Sequence, residues 1–130
     1  MRQGRLRPKT LATCVDQAYP ILIQRAREGR TIPYGELVRL MGGKPGTGGI
    51  GEVLDQIGKL ELEARRPKLR ALIVRADTHT VGGGFFGLPD TPRKLRRMRS
   101  EEWGDHRLST ADLRYWQRQL TRVLQYWKSV

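Results

Sequence analysis

Apolar residues recur at helical spacing in several stretches of the chain. Leu11, Cys14, Val15, Ala18, Leu22, Ile23 and Ala26 predict a helix from Thr10 through Arg27, with Pro20 predicting a kink or a split into two short helices. Gly29 stands where a helix C-cap belongs, and Ile32-Pro33 reads as a short extended lead-in. A second helix is expected from Tyr34 to Met41, with Leu37, Val38 and Met41 inward and Gly42-Gly43 ending it. A glycine turn at 46–49 feeds a third helix from about Gly48 to Ala64. Its stripe is Ile50, Val53, Leu54, Ile57 and Leu60, while Gly51 and Gly58 weaken it by up to ~1 kcal/mol each. Pro67 breaks the pattern.

Leu69 to Ala76 then reads as the clearest strand, and Val81 to Leu88 as a glycine-rich loop leading into a second extended piece. Together the two would form a small β-wing. After Pro89 and Pro92 a basic helix is expected over 93–99. Ser109 with Asp112 three residues on forms a capping box with Asp in place of the usual Glu. It opens a terminal helix to about Lys128 with Leu113, Trp116, Leu120, Val123, Leu124 and Trp127 on one face. The expected fold is mainly α with a small β-wing: a winged helix-turn-helix core plus a C-terminal helix. Residues 1–9 would be a basic arm, 10–92 the core, and 93–130 a basic segment and amphipathic helix packed on the same domain.

Charge sharpens this picture. The chain has 130 residues, a formal net charge of +12 and 25 Lys and Arg against 13 Asp and Glu. Arginine dominates, which favours planar, bidentate contact with phosphate or guanine edges. A GC-rich genome would also raise arginine, but here the charge is clustered. Arg2, Arg5, Arg7 and Lys9 form the arm; Arg65, Arg66, Lys68 and Arg70 precede the expected strand; Arg93, Lys94, Arg96, Arg97 and Arg99 crowd one short segment. Arg114, Arg118 and Arg122 recur every fourth residue and share a face away from the apolar stripe. Layout and charge together point to nucleic acid. No apolar run reaches the ~18 to 20 residues of a membrane span, and no apolar core follows the basic start as in a secretory signal. No membrane association is expected, and the cytoplasm is the expected compartment.

Catalytic chemistry is thinly represented. Gly46-Thr-Gly-Gly-Ile-Gly lacks the Gly-Lys-Ser/Thr of a phosphate-binding nucleotide loop and follows no strand. Glycines at a helix start do let backbone amides approach a phosphate, which makes Gly48 and Gly49 candidates. His79 and His106 are the only histidines, and Cys14 the only cysteine. No metal site and no cofactor are expected. His79 in Asp77-Thr-His-Thr would suit a general base of a metal-independent ribonuclease, although a solvated loop histidine is the plainer reading. Cys14 falls on an apolar face and reads as core. Trp116 and Trp127 fit the inward stripe better than a base-stacking role.

Five segments, in order, resemble one family. They are Ile32-Pro-Tyr-Gly-Glu-Leu-Val, Met41-Gly-Gly-Lys-Pro-Gly, Gly48-Gly-Ile-Gly-Glu-Val-Leu, Pro67-Lys-Leu-Arg-Ala-Leu-Ile-Val and Gly82-Gly-Gly-Phe-Phe-Gly-Leu. Over residues 18–95 their order and spacing resemble the DNA-binding domain of alkylguanine DNA alkyltransferases and alkyltransferase-like proteins. The resemblance implies a winged helix-turn-helix that grips DNA, with Tyr34 matching a Tyr that contacts the target phosphate. The acceptor Cys and its His partner are missing from Ile73-Val-Arg-Ala, and Gly48 stands where the family has the Arg that fills the space of a flipped base. Alkyl transfer is therefore not expected.

The function expected is non-enzymatic binding of duplex DNA through phosphates. The contact set would be Tyr34, Lys44, Gly48, Gly49, Gln56, Lys59, Arg65, Arg66, Lys68, Arg93, Lys94, Arg96, Arg97, Arg99, Arg114, Arg118 and Arg122. The exposed acids Glu52 and Asp55 would either read cytosine amino groups or face a protein partner. A small basic ribonuclease or toxin, and a subunit of a nucleoprotein complex, are the alternatives.

Overall fold

The first helix starts on Pro8, where a missing amide leaves no hydrogen bond unmade. A computed structural model describes residues 6–43, 46, 49–97 and 107–130. Helix α1 spans Pro8–Glu28 and buries Cys14, Val15, Ala18, Leu22 and Ala26. It runs through Pro20 as one element rather than two. Pro20 and Asp16 are both exposed, so the carbonyl left without an amide donor lies on the wet side. Gly29 ends α1 at φ 72°, and the Arg30 amide reaches back to the Arg25 carbonyl at 2.9 Å.

Strand β1, Ile32–Pro33, leads directly into α2, Tyr34–Leu40. Gly42 and Gly43 take φ of 89° and 83°, values that favour glycine, and turn the chain out of α2. Helix α3, Ile50–Glu63, buries Ile50, Val53, Leu54 and Ile57 against α1, as its stripe predicts. Its C-terminal turn uses Arg65 in the left-handed region at φ 57°, with the Arg66 amide bonded to the Glu61 carbonyl at 2.9 Å.

The expected strand 69–76 is different. Leu69–Leu72 forms a 3-10 turn, and only Ile73–Val74 is strand, β2. All four residues of the turn are buried, and the turn touches α1, α3 and the terminal helix at once. At about three residues per turn, a 3-10 helix spreads successive side chains around its axis, so this short segment meets all three helices at once. β2 pairs in parallel with β1, Ile32 opposite Ile73 and Pro33 opposite Val74. The second extended piece expected within 81–88 is also a 3-10 turn, Gly83–Gly87. It turns both Phe85 and Phe86 into the core, with ring centroids 5.3 Å apart and edge to face; a strand would have separated them. Among the described residues no antiparallel β-wing forms from these segments, and the sheet has two strands.

Within the basic stretch expected as helix over 93–99, Arg93–Leu95 forms a single 3-10 turn and Arg96 is extended. Arg99 lies outside the described residues. The terminal helix, α4, spans Thr110–Ser129. Its capping box is formed: Ser109 Oγ accepts the Asp112 amide at 3.1 Å, and Asp112 Oδ2 accepts the Ser109 amide at 2.9 Å. Tyr115, Trp116, Val123 and Trp127 are buried, while Leu113, Leu120 and Leu124 pack half-buried at the edge. The Trp116 indole N–H donates to the Ala71 carbonyl at 2.8 Å and ties α4 to the central turn. The architecture is mainly helical, with one apolar core shared by the four described helices and the central turn.

Candidate nucleic-acid interface

Helix α4 buries one side against α1 and the 69–72 turn and gives the other to solvent. Arg114, Arg118 and Arg122 are exposed there. Among the described residues none of the three has a hydrogen-bond or ion-pair partner. A step of four residues rises about 6 Å, so the row covers about 12 Å along the helix. Burial, helped by the Asp90 carboxylate, pushes the Tyr115 hydroxyl up to about 12, while the Arg118 and Arg122 guanidiniums pull it the other way. Asp90, Arg118 and Arg122 are therefore within electrostatic reach of one hydroxyl. Arg93 and Lys94, exposed just after Asp90, also have no ion-pair partner among the described residues.

Comparison with protein-family models, curated proteins and solved structures found no match.

Other cations in the expected contact set are engaged within the fold. Arg66 grips the buried Glu61 carboxylate, Nη2 to Oε1 at 2.8 Å and Nε to both oxygens at 3.1 Å. Lys68 pairs with Asp90. Arg97 pairs with Asp112 at 3.2 Å, stacks over Phe86 at 4.6 Å from the ring centroid, and donates to the Arg107 carbonyl at 3.0 Å. Arg96 is exposed but donates to the Thr91 carbonyl at 3.0 Å. These four hold loops against the core. Arg65 and Lys59 are exposed, and Gln56 is half-buried on α3. Gly49 is buried at the α3 N-cap, and its amide already donates to the Gly46 carbonyl at 3.2 Å. Tyr34 opens α2, half-buried, and its hydroxyl has no partner among the described residues. Lys44 and Gly48 lie outside the described residues.

The two α3 acids expected to be exposed, Glu52 and Asp55, have internal partners. Glu52 accepts the Leu6 amide at 2.9 Å, and Asp55 pairs with Arg70. Each has an intramolecular role that needs neither a base nor a protein partner.

The sites weighed for catalysis are dispersed. His79 is exposed at φ 58° in a loop closed by the Arg75 amide on the Thr80 carbonyl at 2.8 Å. Its neighbour Asp77 pairs with Arg75 at 2.6 Å, and that hydrogen bond holds its carboxyl below the usual range. His106 lies outside the described residues. Cys14 and Val74 are buried in the core. Among the described residues, no three His, Cys, Asp or Glu side chains gather as a metal-ligand set, and no helix is long and apolar enough to cross a membrane.

Sequence reasoning missed two features. The first is the Glu61 network: this buried carboxylate accepts the Tyr19 hydroxyl at 2.7 Å as well as Arg66. Burial, then the Glu61 hydrogen bond, pushes Tyr19 up to about 12. Glu61 sits four residues after Ile57 on the apolar stripe, which was the signal available. The second is Arg70, which is buried although it lies in a basic run.

Proposed function

We propose that the chain binds nucleic acid, with duplex DNA the leading candidate, through phosphates and without catalysis. The observation that carries this reading is the row Arg114, Arg118 and Arg122, exposed and without carboxylate partners among the described residues; Arg93 and Lys94 are exposed and unpaired in the same sense. Among the described residues seven other cations have carboxylate partners, whereas these five have none and stay available to a ligand. Phosphates of one duplex strand advance about 3.4 Å each along the axis, so a row of about 12 Å spans three to four of them. Arg65, Lys59 and the Tyr34 hydroxyl add contacts on the α2–α3 side. In this reading α2 and α3 are the two helices of a helix-turn-helix, and the 75–88 loop takes the place of a wing. Base-specific contacts would be few, because only Gln56 and Lys59 of the expected α3 set are uncommitted.

The test is binding to duplex DNA, single-stranded DNA and RNA at two salt concentrations. With about six phosphates neutralised, affinity falls ~10³-fold between 50 and 200 mM salt. A flat response overturns the proposal.

A further inference from the structure

A cleft lies between the middle of α3 and the segments at 66–70 and 88–90, and the cations Arg66, Lys68 and Arg70 line it. We propose that this cleft is a binding site for a phosphate oxyanion, held by Arg70 and Lys68. It shares its ligand chemistry with the α4 row but none of its residues, so either can fail alone.

Three observations carry it. The first is an asymmetry within the ion pairs. Arg70 keeps 8% of its side-chain surface in water and its partner Asp55 keeps 52%. Lys68 keeps 11% and its partner Asp90 keeps 42%. Each carboxylate can swing into water, where it is well solvated. Each cation must stay in the cleft, where losing its counter-charge is costly. An arriving anion therefore has displaceable competitors and fixed partners. Glu61 differs, because it is buried and held by both Arg66 and Tyr19, so Arg66 forms a wall of the site.

The second observation is that Arg70 is under-used. A guanidinium offers five N–H groups in a rigid fork. Among the described residues Asp55 takes one, at Nη1, and the buried Nε has no acceptor. Buried donors in this state call for an acceptor. An oxyanion that displaces Asp55 can take over the Nη1 donor and place a second oxygen on Lys68.

The third is the shape around the charges. Gly84 lies against Arg70, where a Cβ would come within 3.1 Å of Nη2, so the backbone packs closely there. At the mouth, Leu62 is exposed beside Leu88 and Pro89. That apolar lip suits the sugar of a phosphate ester.

The Nε–H resonance of Arg70 in ¹H–¹⁵N spectra reads the site directly. Sodium phosphate titrated at constant ionic strength should shift it saturably, and chloride should not. Asp55→Asn removes the competing carboxylate while leaving the cation, so it should tighten phosphate binding about tenfold, the equivalent of one charge-assisted hydrogen bond. The α4 triple variant R114E/R118E/R122E should leave this shift in place. A trinucleotide with a 5′-phosphate and one with a 5′-hydroxyl identify the source: a shift with both assigns a backbone phosphodiester, and a shift with the first alone assigns a terminal phosphate. The proposal is overturned if phosphate leaves the resonance unmoved, if chloride moves it equally, or if D55N does not tighten binding.

Discussion

Reversing the outer row of α4 is the sharpest perturbation of the proposed contact. Arg114, Arg118 and Arg122 are exposed and unpaired among the described residues, so changing all three to Glu breaks no hydrogen bond or ion pair. Surface changes of this kind move stability by about 0.5 kcal/mol or less each. Like charges stand four residues apart before and after, so repulsion along the row is conserved. Binding should respond very differently. Each neutralised phosphate contributes about 0.9 to the slope of log affinity against log salt, so three lost contacts lower it by about 2.7. If the native chain makes six contacts, its ~10³-fold loss between 50 and 200 mM salt becomes about 40-fold in the variant. Absolute affinity at low salt falls further, because the new carboxylates repel phosphate. Changing the three to Gln separates lost attraction from added repulsion: it should give the same slope with a smaller loss of affinity. Fluorescence anisotropy with a labelled duplex across a salt series measures both quantities, and a thermal melt checks the fold. An unchanged slope would refute the phosphate assignment of this face. A collapsed melting temperature would show that the row supports the fold.

Trp116→Ala should destabilise the fold by about 3 to 5 kcal/mol, because it empties a buried site and leaves the Ala71 carbonyl without its donor; urea denaturation measures this, and a loss under 1 kcal/mol would contradict it. Stability should hold up to about pH 10 and fall between pH 10 and 12, because folding raises Tyr19 and Tyr115 from 10.0 to about 12 and the unfolded chain releases those protons first. Tyr19→Phe should make that fall shallower, and an equally steep decline would remove Tyr19 from the effect. Tyr34→Phe should leave stability unchanged, since the hydroxyl has no partner among the described residues, and weaken duplex binding by ~1 to 3 kcal/mol; unchanged affinity removes Tyr34 from the site. Incubation with alkylated-guanine DNA should give no adduct by intact mass, because Cys14, the one cysteine in the sequence, is buried in the core.

Local signals were legible without the fold. The Ser109–Asp112 capping box, the apolar stripes of α1, α3 and α4, and the glycines at 29, 42 and 43 depend on near neighbours in the chain, and they form as the sequence implies. The candidate site was legible only in part. The four-residue spacing of Arg114, Arg118 and Arg122 fixed their common face once α4 existed. Where the sequence misled, the competing influence came from outside the segment. Leu69–Leu72 looks like a strand, yet three helices close around it and a tight turn buries all four residues. Phe85-Phe86 turn inward together for the same reason, packing on Tyr115 with ring centroids 5.9 and 6.3 Å away. Charge shows the same division. The chain alone lists its cations, but Lys68 with Asp90 and Arg70 with Asp55 meet only after folding, across 22 and 15 residues. Sequence sets how much positive charge the protein carries and which local faces can share it. Tertiary structure decides which charges are neutralised, because a cation held in a crevice needs a counter-charge close by, whereas one on an open helix face is satisfied by water and stays available to a ligand.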